Sequence, residues 1–266
     1  MASHDGHRLH APARPVVLRA LLLLGALWLT PSAVASGQAE PSLAEQAVDP
    51  TASLMSFQFI DNYTPALWDQ DGTSNSLLFR AAIPFVAWRK PNIFRVSVPY
   101  TSGGARGSGL EGVQLFDLVI FPAKWGRWGV GPLLSLQQDF RPDGPGPFGI
   151  GPAIGFTMRR GRWTLGLFSQ NLFGDGLAAS SLQPIAAYLV APGTTLSLGD
   201  AQIAYDWNEG ELTRFPLSIQ LGHVTTLAGQ PIRLFVNPQY NLADQAGADQ
   251  WTLAFGFAVL APMRTD

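Results

Sequence analysis

The sequence predicts an all-β fold, a closed antiparallel transmembrane β-barrel of about twelve strands, for three reasons. Of the 266 residues, 47% are hydrophobic and only 14% are charged, which is too apolar for an ordinary soluble protein. The 28 glycines and 21 prolines are spread along the chain, which indicates many short elements joined by turns. Large and small residues alternate over 251–260 with no charge on either face, a pattern typical of a strand between lipid and a crowded lumen.

Residues 1–35 are predicted to form a signal peptide. A basic segment precedes an apolar run at 20–29, and Ala33-Val34-Ala35 fits an A-x-A cleavage site, so we expect cleavage after Ala35 or Ala39. The apolar run is far shorter than the ~20 residues of a transmembrane helix, which disfavours a membrane anchor. The basic residues are Arg8, Arg14 and Arg19.

The rest of the chain divides into three segments. Residues 36–52 are small and polar without periodicity, which predicts a disordered periplasmic lead-in. Residues 53–260 are predicted to form the barrel, and 261–266 a C-terminal tail. Turn signals and period-2 runs place the strands near 54–60, 76–86, 92–100, 113–121, 128–136, 148–158, 163–172, 182–190, 195–205, 213–224, 232–240 and 251–260.

The connections between these strands alternate in length and charge. Turns after even-numbered strands are short and mostly basic, as at 89–91, 124–127 and 159–162, whereas loops after odd-numbered strands are mostly longer and acidic. This alternation predicts a barrel with both termini in the periplasm and acidic loops outside the cell. Aromatic residues fall near the inferred strand ends, where membrane interfaces favour them. They are Tyr100, Trp128, Trp163, Tyr205, Trp207, Tyr240 and Trp251.

Charged residues within strands are the candidate site. A charge facing lipid at the bilayer midplane costs about 2 to 4 kcal/mol, so these side chains are predicted to face the lumen. Asp200 joins them if Gly199 forms a bulge, and Asp117 lies near enough to Arg95 for pairing. Two interpretations stay open: a polar network that rigidifies the lumen, or a constriction that selects solutes. The lumen-facing candidates are Arg80, Arg95, Asp117, Arg214, Arg233, Gln220, Asn237 and Gln239.

Catalysis, metal binding and cofactor binding are not predicted. After signal removal the remaining histidine is His223, and Ser218, five residues away on the same strand, is too far to be its nucleophile. The sequence has no His/Asp/Glu cluster with metal-ligand spacing, and its Gly-x-Gly-Pro motifs lack the strand-turn-helix context of a phosphate loop. A net charge of −2 argues against nucleic acid as a partner.

A series of short motifs runs along the mature chain over residues 54–260. The motifs are Asn75 to Arg80, Ile83-Pro84, Arg95 to Pro99, Gly109-Leu110, Phe121-Pro122, Gly129-Val130-Gly131-Pro132, Gly151-Pro152, Trp163 to Gly166, Gln183-Pro184 with Tyr188, Tyr205-Asp206-Trp207, Phe215-Pro216 and Tyr240-Asn241. In this order they resemble a family of outer-membrane barrels related to the meta-pathway of phenol degradation, whose members are often labelled transporter or neuromedin U.

The resemblance implies passage of small compounds, aromatic or apolar ones among them, through the outer membrane of a Gram-negative cell. We therefore expect a passive transporter or channel, with outer-membrane lipid, a small-molecule solute and the barrel-assembly machinery as partners. The alternative is a structural or lipid-modifying barrel that has no open pore.

Overall fold

The computed structural model describes residues 41–103, 108–137, 148–174 and 176–262. A short helix, α1 (Leu43–Gln46), precedes sixteen strands. The strands are β1 (Leu54–Leu67), β2 (Ser74–Ala87), β3 (Lys90–Gly103), β4 (Gly109–Leu110), β5 (Gly112–Ala123), β6 (Gly126–Gln137), β7 (Phe148–Arg160), β8 (Trp163–Gly174), β9 (Leu177–Ala191), β10 (Thr194–Ser197), β11 (Ile203–Asp206), β12 (Glu211–Arg214), β13 (Pro216–Ser218), β14 (Gln220–Leu227), β15 (Gln230–Asn241) and β16 (Asp249–Pro262).

The strands close into one antiparallel barrel. β16 pairs with β1, and β10 pairs with both β9 and β14, so the sheet closes on itself; among the described strands, β12 pairs with β11 alone. β10 and β11 share one place in the wall, β12 to β14 share the next, and β4 precedes β5 beside β3, which gives twelve strand positions. This closed antiparallel barrel confirms the predicted fold class. The sequence pattern also placed a strand at each of the twelve positions.

The two ends of the barrel differ, as the connection lengths predict. At the end where β1 begins and β16 ends, here called the terminal end, neighbouring strands meet in tight turns. In the turn between β2 and β3, Trp88 and Arg89 have φ angles of 48° and 61°, the left-handed pair that a two-residue hairpin turn requires. The opposite end, here called the loop end, carries the longer connections. Of the acidic residues predicted for these loops, Asp139, Asp143 and Asp175 lie outside the described ranges.

Two of the predicted strands are broken. Residues 195–205 are interrupted between β10 and β11, where Gly199 has a φ of 63° and turns Asp200 out of the wall. Residues 213–224 are interrupted near Pro216, which has no N–H to donate, and the N–H of Phe215 donates to the Asn241 side chain at 2.8 Å. Local breaks of this kind leave the pairing with neighbouring strands intact on either side.

Large apolar side chains cover the outside of the wall. Along β16, Trp251, Phe255 and Phe257 are exposed, whereas Ala254 and Ala258 on the opposite face are buried, as the alternation over 251–260 predicts. Phe59 on β1 stacks on Phe257 of the neighbouring strand with ring centroids 5.1 Å apart. Within the described ranges, no helix combines the length and apolarity that crossing a membrane demands.

The inside of the barrel is filled unevenly. One half holds an apolar cluster contributed by β3 and β5 to β9, and Leu118, Leu133 and Phe168 in it are fully buried. The other half carries polar side chains from β10 to β16. The cluster comprises Ile93, Phe116, Leu118, Ile120, Leu133, Ala153, Phe168 and Ile185. The sequence analysis named only polar and charged candidates for the lumen and did not predict this apolar half.

The predicted lead-in is also different where the structure describes it. Residues 41–52, here called the plug, form α1 and a following turn instead of a disordered segment, so the prediction was wrong for them; residues 36–40 lie outside the described ranges. Ser42 and Glu45 form a capping box, and the Asp49 carboxylate accepts hydrogen bonds from the Thr51 N–H and hydroxyl. The predicted signal peptide lies outside the described residues as well.

Candidate functional site: an occluded lumen

The plug lies inside the terminal end of the barrel. It bonds to residues of β6, β7 and β15, and α1 also contacts β9, β10 and β14. These strands belong to different sides of the wall, so a single short segment can reach them all only from within the lumen. Ala44 and Thr51 are accordingly buried.

Two ion pairs hold the plug. Arg127 of β6 pairs with Asp49, and Arg159 of β7 pairs with Glu45 at 2.9 Å. Between them, the Thr51 and Thr157 hydroxyls share a hydrogen bond of 2.6 Å. The Asp49 and Glu45 side chains are only 3% and 8% exposed, so both carboxylates depend on these partners for the solvation that they have lost.

Glu45 is tuned to stay ionised. Burial alone would raise the pKa of its carboxyl group, but hydrogen bonds from the Ser42 hydroxyl and N–H, together with the charge of Arg159, outweigh burial and lower the pKa below its usual value. The negative charge at this position is therefore a stable feature of the docked plug near neutral pH.

Three of the predicted arginines line one cavity above the plug, here called the arginine cavity: Arg80, Arg95 and Arg233. Arg80 of β2 forms an ion pair across the lumen with Asp200, which the break at Gly199 presents to the interior. The Gln183 amide also donates to Asp200, at 3.3 Å. The sequence analysis made the inward position of Asp200 depend on an irregularity at Gly199, and the structure has that irregularity.

Arg95 and Arg233 have no carboxylate partner in the part of the chain that the structure describes. The Arg95 guanidinium lies 4.0 Å from the centroid of the Phe116 ring and 5.8 Å from that of Phe168. Arg233 donates one hydrogen bond, from Nη1 to the Ala47 carbonyl of the plug at 3.4 Å. The Nε of Arg95 and the Nε and Nη2 of Arg233 are buried and have no hydrogen-bond partner within the described ranges.

The arginine cavity has both polar and apolar walls. Its volume is about 80 Å³, room for a few water molecules or a small solute. Gln183 and Gln220 add amide groups, whereas Ile93, Phe116 and Ile185 add an apolar surface. Plug residues, including Ala47 and Asp49, form its floor.

The fourth arginine belongs to a separate network closer to the loop end. Arg214 donates to Gln239 at 3.1 Å, Gln239 donates to Asn237 at 2.7 Å, and Asn237 donates to the Ser218 hydroxyl at 2.7 Å. Ser218 in turn donates to the Leu198 carbonyl at 2.8 Å. Because every side chain in this network has a hydrogen-bond partner, the network rigidifies this part of the lumen.

Asp117 is the predicted lumen residue that the structure places elsewhere. It pairs across the sheet with Phe94, whereas Arg95 pairs with Phe116, so Asp117 and Arg95 point to opposite faces of the wall. Phe116, Leu118 and Ile120 are the buried residues of β5, and the period of two then directs Asp117 outward. The prediction that Asp117 faces the lumen and pairs with Arg95 was therefore wrong.

Replacing Asp117 by valine is expected to raise the free energy of unfolding by about 1 to 3 kcal/mol. The Oδ1 atom of Asp117 is shielded and has no hydrogen-bond partner among the described residues, and valine removes that cost on a lipid-facing surface. Urea unfolding of the protein in lipid vesicles measures the change. Asp117→Asn, which keeps a polar side chain, should gain less, and a loss of stability in Asp117→Val would show that the carboxylate has a favourable role.

His223 lies at the terminal rim, away from the cavity. Its Nδ1 atom shares a hydrogen bond of 2.9 Å with the exposed Thr194 hydroxyl. The Ser218 hydroxyl that the sequence analysis weighed against it is engaged in the Arg214 network. Across the described ranges, His, Cys, Asp and Glu side chains form no group of three that could hold a metal ion.

The fold and the lumen together define a twelve-stranded antiparallel barrel with a plugged, partly apolar interior. The solved structures that it resembles include the COG4313 outer membrane channel from Pseudomonas putida F1, with a TM-score of 0.54 and 13% identity over 78% of this chain and 94% of that chain. They also include a KdgM porin, with a TM-score of 0.48 and 10% identity over 77% and 98% of the two chains. Outer membrane phospholipase A from Escherichia coli aligns with a TM-score of 0.42 and 11% identity over 77% and 91%. No protein-family model and no curated protein sequence matches the chain.

Sequence reasoning missed the plug and its two basic anchors. The pattern Ser42-x-x-Glu45 is a capping-box signature and could have revealed α1. Arg127 and Arg159 stood in turns described only as basic, and no local signal links them to acidic residues 78 and 114 positions away.

Proposed function

We propose that the protein is a passive channel of the Gram-negative outer membrane, which carries small solutes through a lumen closed at rest by the plug. The observation that carries this proposal is that ion pairs and hydrogen bonds hold the plug, which forms the floor of a cavity lined with arginine and glutamine. A segment attached in this way can leave without breaking a covalent bond or the barrel wall.

The outer surface supports the membrane location. Exposed leucine and phenylalanine side chains such as Phe59, Leu77 and Phe255 form a continuous apolar wall, which would be a liability in water and is the normal surface of a barrel in lipid. Exposed tryptophans lie near the strand ends, as at Trp128, Trp163 and Trp251, where bilayer interfaces favour them. The fold of an outer membrane channel, shared at a TM-score of 0.54, is consistent with this location.

In the orientation we propose, the terminal end faces the periplasm and the loops face the outside of the cell. The predicted signal peptide of residues 1–35 would direct export, and the barrel-assembly machinery would insert the mature chain. We propose that its relatives are the outer-membrane barrels related to the meta-pathway of phenol degradation. Small aromatic or apolar compounds are then among the candidate solutes.

Planar-bilayer recordings of the purified mature chain test the function. We expect rare, brief openings in the wild type, because the plug closes the lumen most of the time. The control is protein that has been heat-unfolded, as judged by its altered mobility on a denaturing gel. It shows whether residual detergent alone produces the openings. A complete absence of openings, together with hydrolysis of phospholipid vesicles, would favour the lipid-modifying alternative instead.

A further inference from the structure

We propose that the arginine cavity is a binding site for a small organic carboxylate, held by Arg95 and Arg233, which would make such anions the solute class of the channel. This inference rests on the proposed function for its biological meaning, but the binding site itself can be tested without any transport. No described side chain supplies the carboxylate that these two guanidinium groups lack.

The charge balance of the cavity favours an anion. Arg80, Arg95 and Arg233 contribute three positive charges to its lining. Asp200 is committed to Arg80 and Gln183, and Asp49 in the floor is committed to Arg127. Arg95 and Arg233, both buried, thus form no ion pair with a described carboxylate, and the nearby Asp200, which attracts both, is already paired with Arg80.

The unpartnered donors favour an oxygen ligand. The buried Nε of Arg95 and the buried Nε and Nη2 of Arg233 have no acceptor among the described residues, and a shielded donor without an acceptor costs free energy. An oxyanion between the two arginines would supply acceptors to both. The Arg95 guanidinium lies over the Phe116 ring at 4.0 Å, a contact that restricts its movement, and its planar fork of N–H donors matches the two oxygens of a carboxylate.

The apolar wall favours an organic anion over a hydrated inorganic one. Ile93 and Phe116 lie beside Arg95 in the cavity lining, and Ile185, Ala258 and Leu260 add further apolar surface. A short aliphatic carboxylate can place its charged end at the arginines and its body against this wall. Phosphate has no apolar part to bury, and its second negative charge would have to approach Asp200.

Binding is best measured on the full mature chain in detergent, by calorimetry with sodium butyrate as the probe, butyramide as its neutral counterpart, and phosphate as the inorganic anion. We expect butyrate to bind, and butyramide and phosphate to bind at least about tenfold more weakly, since hydrogen bonds to a charged group carry most of the affinity. Equal binding of butyrate and butyramide, or no binding of butyrate, would overturn the proposal.

Variants locate the site. Arg95→Gln and Arg233→Gln should each weaken butyrate binding about tenfold or more, whereas Arg214→Gln, which removes a lumen arginine outside the cavity, should leave it unchanged. If a glutamine variant does not fold, Arg95→Lys and Arg233→Lys, which keep the charge and lose the fork, take its place and should weaken binding less. Unchanged affinity in all four variants would contradict the site.

Asp200→Asn supplies a test of opposite sign. Removing the competing carboxylate leaves Arg80 available to the ligand, so butyrate should bind several-fold more tightly, while a merely structural arginine cluster would predict no gain. These readouts do not depend on conductance. Openings without butyrate binding would leave the channel standing and reject the site, whereas butyrate binding without openings would reject the channel and leave the site.

Discussion

Replacing both Arg127 and Arg159 by glutamate is expected to open the lumen at its terminal end. Each substitution turns an attractive ion pair with a buried carboxylate of the plug into a repulsive contact. Loss of one partner of a buried pair costs about 3 to 5 kcal/mol, and every 1.4 kcal/mol changes a population about tenfold. The ratio of docked to undocked plug should therefore fall by more than about a hundredfold. Planar-bilayer recordings should then show long-lived openings in place of rare, brief ones.

The same plug gives a pH dependence of defined sign. The folded-state pKa of Glu45 is lowered, so its contribution to docking is fully present above the ordinary pKa of a glutamate and is lost as the pH falls through the lowered value. Open probability should consequently rise on acidification below that ordinary value. In Glu45→Gln this part of the pH dependence should be absent, because there is no carboxyl group at that position to protonate.

Arg160→Glu is the matched control for the double variant. Arg160 is the exposed neighbour of Arg159, and Arg160→Glu makes the same change of charge as either single substitution, at the same rim, outside the ion pairs that hold the plug. Its conductance should stay close to that of the wild type. If limited proteolysis shows that residues 41–52 are released in the double variant and conductance still does not rise, the plug does not close the channel.

The number and place of the strands could be predicted from the sequence because a barrel strand is a local pattern. Alternation along 251–260 is decided by the strand itself, and it correctly separates Phe255 from Ala254. The breaks at Gly199 and Pro216 are also local, but whether a glycine or proline interrupts a strand or merely bends it depends on what the neighbouring strand offers. Here Asn241 of β15 accepts the N–H of Phe215, which the sequence of residues 213–224 does not reveal.

The candidate site was predictable only in part, because the cost of exposing a charge to lipid is one of several costs that compete. The cost of exposing a charge to lipid is consistent with the inward positions of four arginines, whose neighbours along the strand are able to face lipid. They are Arg80, Arg95, Arg214 and Arg233. It fails for Asp117, because turning β5 over would expel Phe116, Leu118 and Ile120 from the apolar half of the lumen. Packing of three large side chains outweighs the position of one carboxylate.

Replacing Phe168 by alanine is the substitution from which we expect the largest loss of stability, about 3 to 5 kcal/mol in the free energy of unfolding. Phe168 is fully buried in the lumen, its ring centroid lies 5.5 Å from that of Phe116, and its ring covers Gly155, where an added Cβ would come within 2.5 Å of Cδ2. Alanine leaves a void that the closed wall cannot collapse to fill, and it removes one of the two rings beside the Arg95 guanidinium. Phe168→Leu, which keeps most of the apolar volume, should cost less than about 1.5 kcal/mol. Urea unfolding in lipid vesicles followed by tryptophan fluorescence measures both, and a loss below about 1 kcal/mol in Phe168→Ala would mean that the lumen is not a packed core at this level.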